Sequence, residues 1–505
     1  LESLDVYPMS YSKKIKKFFN QNRLECIALI FIVLLALVLR LYRIEGYMTF
    51  LGDEGRDVRV VRNILRGDPA FIGPQTSIGG MYLGPLYYYM MAPALLLSGL
   101  NPVGPAIMVA LLSVVTIVLT WYFGRHWFGS LTGILAAFLF SISPVSIIYS
   151  HSSWNPNPMP FFALLAVWGI YQVWANQKYR FIPLVGLSVA FALQMHYLGL
   201  LLLPLLGIFW LISLKQAWAK KKLRKTFLTQ SLWAVLIFFF LMSPLLLFDL
   251  KHDYMNFNAF KIFFTDRQTT INFNPTNSNR FLPVLYKIVS DLFLGQSEFL
   301  VPLFSFLTIT LSLWALAVTK KKKSAILLLT WLGTALLGLA LYKQHVYAHY
   351  FGFIFPAVYL LSGWIIASLL SDSFSHKLLG LLLFITFTVL SIQYSPLQYQ
   401  PNRQFRRTEK VVDTIIKSSD RQPFNFGLIA KQNYDESYRY IFESKQASLV
   451  RGEDGISDQL FVACEDEECQ PEGNSGWQIA IFGPADTADN WDIDYIQVFK
   501  LVHAD

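Results

Sequence analysis

The sequence predicts a mainly α-helical, polytopic membrane protein that ends in a small water-soluble α/β or α+β module. Three observations carry this. Of 505 residues, 54% are hydrophobic and 15% charged, and mean hydropathy is +0.42. Uncharged apolar runs of about 20 residues recur, each able as a helix to span about 30 Å of hydrocarbon. Charge is also divided along the chain: residues 1–393 hold 31 Lys/Arg against 14 Asp/Glu, and residues 394–505 hold 11 against 19. Such a composition argues against a disordered chain, a secreted disulfide scaffold and a soluble nucleic-acid binder. No nucleic-acid partner is expected.

The first expected span, Leu24–Ile44, follows Lys13, Lys14, Lys16, Lys17 and Arg23. No small-residue cleavage site comes after it, so it reads as a retained anchor. Ten more follow: Gly104–Phe123, Leu131–Tyr149, Pro158–Ala175, the short Phe181–Leu193, Leu198–Leu214, Ser231–Phe248, Glu298–Val318, Ser324–Leu341, Tyr350–Leu370 and Leu378–Ile392. That makes about 11 transmembrane helices.

With residues 1–23 as a basic cytoplasmic amino terminus, the cytoplasmic loops gather 19 of the 31 cations of the membrane part, most densely at Lys215–Lys225 and Lys320–Lys323. That is the positive-inside pattern. Residues 24–393 are the membrane module, with a first outer loop at 45–103. Residues 394–505 follow the last of an odd number of spans and are expected outside the cytoplasm. Gly84–Leu100 is apolar enough for a twelfth span, but counting it would invert every later loop. It is read as an interfacial or re-entrant helix, with Tyr87–Tyr89 at headgroup depth.

In the tail, Glu409–Ser418 has a helical pattern, Phe424–Ala430 and Trp477–Phe482 read as strands, and Tyr495–Phe499 is a weaker third strand. Cys464 and Cys469 flank Glu465–Glu468; a local disulfide and two free thiols are both open. Cys26 reads as packing in the first span. There is no repeat, CxxC pattern, Walker A or Rossmann fingerprint.

The chemistry-bearing residues fall on the predicted outer face. Asp53-Glu54 follows the first span within Phe50-Leu51-Gly52-Asp53-Glu54-Gly55-Arg56-Asp57. Sugar transfer from a phospholipid carrier needs a carboxylate to take the acceptor's proton and cations to hold the departing phosphate. This pair supplies the first; an acidic interfacial helix start is the other reading. Arg56, Arg59, Arg62 and Arg66 form a stripe on a helix. They sit among anionic headgroups, or Arg56 faces the Asp53 pocket and contacts a lipid phosphate.

Later outer segments carry Trp154, Asn155 and Asn157, then His196 and Tyr197, then Lys343, His345, Tyr347, His349 and Tyr350. Rings could stack on a sugar and amides could bond its hydroxyls. Lys343 and His349-Tyr350 suit a donor phosphate, with interfacial anchoring as the alternative. His345 and His349, at i,i+4, would share a helix face and leave a divalent metal open as cofactor.

Together with the segments FGRHWFGSLTGILAAFLFSISPVSIIYSHSSWNPN and HYFGFIFPAVYLLSG, the Asp-Glu loop resembles the glycosyltransferase family 39/83 group. That group contains the protein O-mannosyltransferases and the lipid A aminoarabinose transferases. The resemblance covers about residues 25–370. It implies the GT-C membrane fold, a polyprenyl-phosphate sugar donor, transfer at the outer face and inversion at the anomeric carbon. It places the family's acidic residue on Asp53, with Glu54 its neighbour and Arg56 the following arginine. His349-Tyr350 and Pro356 match the late aromatic–proline segment. The chain departs at Met81-Tyr82-Leu83-Gly84-Pro85-Leu86, where these families carry an acidic-basic pair before Pro-Pro-Leu, or His-Pro-Pro-Leu.

The expected activity is thus transfer of a hexosyl or pentosyl unit to a lipid, glycan or protein acceptor. The alternatives are a lipid or glycan transporter, which would place paired charges deep inside spans, and a non-catalytic scaffold presenting the tail.

Overall fold

The computed structural model describes residues 18–76, 80–265, 280–294, 300–342, 345–466 and 469–504. The chain is a multi-span membrane protein. In chain order the principal helices are α1 (Arg23–Leu41), α2 (Gly52–Leu65), α3 (Leu86–Leu97), α4 (Val103–Trp127), α5 (Ser130–Ile142), α6 (Pro144–Ser150), α7 (Met159–Asn176), α8 (Ile182–Met195) and α9 (Leu202–Trp218). They continue with α10 (Lys221–Lys251), α11 (Met255–Thr265), α12 (Phe281–Val289), α13 (Leu300–Val318), α14 (Lys322–Leu341), α15 (Phe355–Leu370) and α16 (Phe374–Gln393).

Among the described residues, eight helices are long and apolar enough to cross a membrane, or nine if the bent pair α5–α6 counts as one span. Each of the eleven expected spans falls on a helix or a bent pair of helices; α7 and the short α8 fall outside that count of nine. Gly84–Leu100 forms the 12-residue α3, with Tyr87 and Tyr88 buried and Tyr89 41% exposed.

The bundle is closest-packed around α4, α5 and α15, where glycines let backbones approach. Gly363 and Gly133 are examples: a Cβ at either would meet the facing helix's backbone within 2.8 Å. The 62° bend between α5 and α6 falls at Ser143-Pro144, where proline cannot continue the helix's hydrogen bonds. Arg40, fully buried, satisfies the break. It donates to the carbonyls of Phe140 and Ser141 (3.2 and 2.8 Å) and to the hydroxyls of Ser113 and Ser146 (2.9 and 2.8 Å). Its partners are all neutral, so this in-span charge serves a helix end and not a paired relay.

The C-terminal module contains α17 (Gln404–Ser418), β1 (Asn425–Ile429), α18 (Glu436–Ser444), β2 (Gln459–Cys464), α19 (Trp477–Ala480), β3 (Ala485–Ile493) and β4 (Ile496–His503). The sheet order is β1-β2-β4-β3, with β1 and β2 parallel and the other pairs antiparallel. Along β2, Phe461 and Ala463 join the main core with Val411, Ile415 and Phe442, while Leu460, Val462 and Cys464 face a smaller cluster with Ile479 and Phe482. This is the period-2 alternation of a strand covered on both faces.

One tail prediction is corrected. Trp477–Phe482 is helical, not extended, through Ala480. Ile479 and Phe482 point to the sheet at a spacing of three, and Asn474 Oδ1 accepts from Gly476 N at 2.9 Å to turn the chain in. Cys464 and Cys469 are joined by a disulfide, with 5.9 Å between Cα atoms.

Candidate active site

The loop after α1 enters α2 through Leu51, whose extended backbone precedes the first helical turn. Glu54 closes that turn. One carboxylate oxygen accepts from Leu51 N at 3.1 Å and the other from the Thr49 hydroxyl at 2.5 Å, which in turn reaches Ser152 Oγ at 2.7 Å. Burial raises the Glu54 carboxyl above the ordinary range, opposed by the Thr49 and Leu51 bonds. Glu54 thus holds the loop's shape and ties it to the segment after α6.

Asp53 stands beside it with its side chain 40% exposed. Its Oδ1 accepts from Arg56 Nη1 at 2.8 Å and from the Tyr434 hydroxyl at 2.7 Å. Among the described residues Oδ2 has no hydrogen-bond partner. Arg56 also spends Nε and Nη2 on buried Asp57, at 3.0 and 2.8 Å. The fork is therefore fixed, with Asp53 on one side and Asp57 on the other.

Two cavities meet at Asp53 and Trp154. The first, about 140 Å³, is lined by Asp53, Arg56, Asn155, His196, Tyr197, His349 and Tyr350, together with Gln75, Thr76 and Trp154. The second, about 210 Å³, is lined by Asp53, Glu54, Thr49, Ser152 and Trp154, and by Gln432, Asn433 and Tyr434 from the C-terminal module.

Seven of the ten predicted site residues therefore share one cavity. His349 packs on Trp154 (ring centroids 4.3 Å apart), and His196 on Tyr350 (4.8 Å). Tyr197 meets the Tyr342 hydroxyl at 3.0 Å. Asn155 donates to Met195 O at 2.6 Å, fastening its loop to the end of α8. Burial, reinforced by the neighbouring His349, lowers His196 to about 3, so the ring is neutral. Its Nδ1 accepts from Leu198 N at 3.2 Å, which puts the proton on Nε2 as a donor.

The structure does not bring Asn157 into this cavity; it donates to Ser152 O at 2.8 Å and lines a separate space with Ser113 and Phe355. Lys343 lies outside the described residues. His345 and His349 share no helix face, because the α-helix starts only at Phe355 and His345 packs on Tyr347 instead. Among the described residues, no group of three or more His, Cys, Asp or Glu side chains is placed to hold a metal ion.

For Arg59 and Arg62 the headgroup reading of the stripe is corrected. Arg59 pairs with Glu436 at 2.8 Å, and buried Arg62 pairs with Glu443 and covers the Tyr440 ring. Their partners are acids of α18, not lipid. Sequence reasoning missed Asp57, Asn433 and Tyr434. Asp57 had a local signal, one residue past Arg56; the other two had none.

Residues 83–248 match the family described as dolichyl-phosphate-mannose-protein mannosyltransferase. No curated protein matches the chain by sequence. Among solved structures, ArnT from Cupriavidus metallidurans bound to undecaprenyl phosphate aligns at TM-score 0.60 and 11% identity, covering 93% of this chain and 97% of its own. AglB, an oligosaccharyltransferase from Archaeoglobus fulgidus solved with an inhibitory peptide and dolichol-phosphate, aligns at 0.54 and 12%, covering 88% and 70%. The mycobacterial arabinofuranosyltransferase AftD aligns at 0.54 and 11%, covering 96% of this chain and 40% of its own. The chain has the GT-C fold, and its similarity to these glycosyltransferases is one of architecture.

Proposed function

We propose that this GT-C membrane protein moves a hexosyl or pentosyl unit from a polyprenyl-phosphate carrier to a lipid, glycan or protein acceptor, with inversion. The single observation behind this is the position of Asp53, a partly exposed carboxylate where two cavities join. Inverting displacement needs the base and the leaving phosphate on opposite sides of the anomeric carbon. The cavity with Arg56, neutral His196 and His349 suits the donor. The cavity with Ser152, Asn433 and Tyr434 suits the acceptor.

In that arrangement the acceptor hydroxyl gives its proton to Asp53 and its oxygen bonds to the anomeric carbon. The carbon–oxygen bond to phosphate breaks, and polyprenyl phosphate leaves. Glu54 acts by holding the loop. The undecaprenyl phosphate of the ArnT structure and the dolichol-phosphate of AglB support the carrier class. We place the basic amino terminus in the cytoplasm, and residues 394–505 with the catalytic loop on the opposite face, as the cation distribution requires.

The test uses purified protein, membranes from cells lacking the gene as acceptor source, and two kinds of donor. Polyprenyl-phosphate sugars extracted from the native cells should be consumed and nucleotide sugars ignored. Turnover with nucleotide sugar, free of any lipid carrier, would overturn the proposal.

A further inference from the structure

The C-terminal module reaches the candidate base directly. Tyr434, in the loop between β1 and α18, donates to Asp53 Oδ1 at 2.7 Å and accepts from Arg56 Nη1 at 3.0 Å. With the 2.8 Å bond from Arg56 to Asp53 these three groups close a ring. Among the described residues, Arg56 and Tyr434 are the two groups that hold the Asp53 carboxylate.

The contact is built from the backbone outward. The Tyr434 ring lies directly on Gly52: a Cβ there would come within 2.4–2.6 Å of three ring carbons. Asn433 Oδ1 accepts from Gly52 N at 2.8 Å, and its amide donates to both Glu465 oxygens at 3.0 and 2.9 Å. The loop is thus fastened on one side to α2 and on the other to the end of β2.

Docking does not require the Tyr434 hydroxyl. Helices α2 and α18 are already joined where Gly55 meets the Ser437 backbone, and by Arg59 and Arg62 with Glu436 and Glu443. What the hydroxyl adds is orientation. A carboxylate held only by an arginine of its own helix can turn about two bonds; a second donor from across the cavity fixes its plane. Gln432, Asn433 and Tyr434 also make up one wall of the cavity assigned to the acceptor.

We propose, resting on the transferase reading above, that Tyr434 is a positioning residue for Asp53 and the acceptor-side wall of the site. The C-terminal module is then a working part of the site and helps to set which acceptor is admitted.

The test uses the full-length protein in nanodiscs, the polyprenyl-phosphate sugar fraction from native cells as donor, and membranes lacking the gene product as acceptor. Tyr434→Phe should lower kcat about tenfold or more, as expected for losing a hydrogen bond to a charged group, with the donor's half-saturating concentration unchanged. Tyr434→Ala should in addition shift half-saturation by acceptor. Gly52→Ala pushes the ring aside with its hydroxyl intact, so it should reproduce the loss of kcat; added to Tyr434→Ala it should cost nothing further, because no ring remains to displace.

Wild-type kcat in Tyr434→Phe, or independent addition of the Gly52 and Tyr434 losses, would overturn the inference. In either case an inactive Asp53→Asn protein in the same assay leaves the transferase reading standing. Normal transfer by Asp53→Asn would sink both. If Tyr434→Phe does not fold, Gly52→Ala decides alone, and wild-type kcat in that variant would overturn the inference.

Discussion

Asp57 accepts both Nε and Nη2 of Arg56 on a single oxygen, Oδ1, and among the described residues its buried Oδ2 has no partner within hydrogen-bond distance. Burial outweighs the arginine and raises this carboxyl to about 7. The folded protein then keeps the proton between about pH 4 and 7, where the unfolded chain has lost it. The stability contributed by Asp57 is full below that window, declines as pH rises through it, and is flat above. Asp57→Asn should flatten the slope. Thermal unfolding in detergent from about pH 4 to 8 checks this, and equal slopes for both proteins would refute it.

Asp53→Asn keeps the hydrogen bonds' geometry but removes the proton acceptor. A general base contributes about 10²–10⁴ in rate, so single-turnover transfer should fall at least a hundredfold while polyprenyl phosphate still binds. Glu54→Gln should cost less in rate and more in stability, since both Glu54 oxygens serve the loop. A larger rate loss at Glu54 than at Asp53 would exchange the two roles.

Gly55→Ala places a Cβ 2.3 Å from Ser437 N, a clash with backbone that no rotamer relieves. Overpacking of this kind costs about 1–3 kcal/mol. The expected result is a lower unfolding temperature and faster proteolysis between the membrane module and residues 394–505. Unchanged cleavage would mean that α2 and α18 are not docked in this way.

Orientation is open to direct labelling. In a background without Cys26, Cys464 and Cys469, a cysteine at Ser475 should react with an impermeant reagent in intact cells, and one at Lys221 should not. Both positions are exposed, so protection reports the membrane and not burial. Reaction at Lys221 would reverse the assignment.

Much of the membrane module was legible because a bilayer demands long apolar helices and leaves few alternatives. Residues as far apart as Asp53, Asn155, His196 and His349 were grouped on one face by the expected topology, and they line one cavity. What escaped was anything set by pairing between distant segments. Tyr434 lies 381 positions from Asp53, and no local pattern marks a tyrosine that will meet a carboxylate. The arginine stripe was visible but its partners were not, because Glu436 and Glu443 read as an ordinary solvated helix face. Strand β2 was missed despite its apolar run Leu460–Ala463, and strand β3 for a related reason. As an edge strand rich in Asp it has no apolar run, and its pairing with β4 carries it.

The fastening of Gly52 and Asp53 by Asn433 and Tyr434 also bears on how the protein is made. The loop bearing the carboxylate is synthesised first, and its clasp follows 381 positions later. Until that later stretch has emerged and folded, the carboxylate lacks one of its two donors and one cavity lacks a wall. A nascent chain that stops short of Asn433 is therefore expected to sit in the membrane without a finished site.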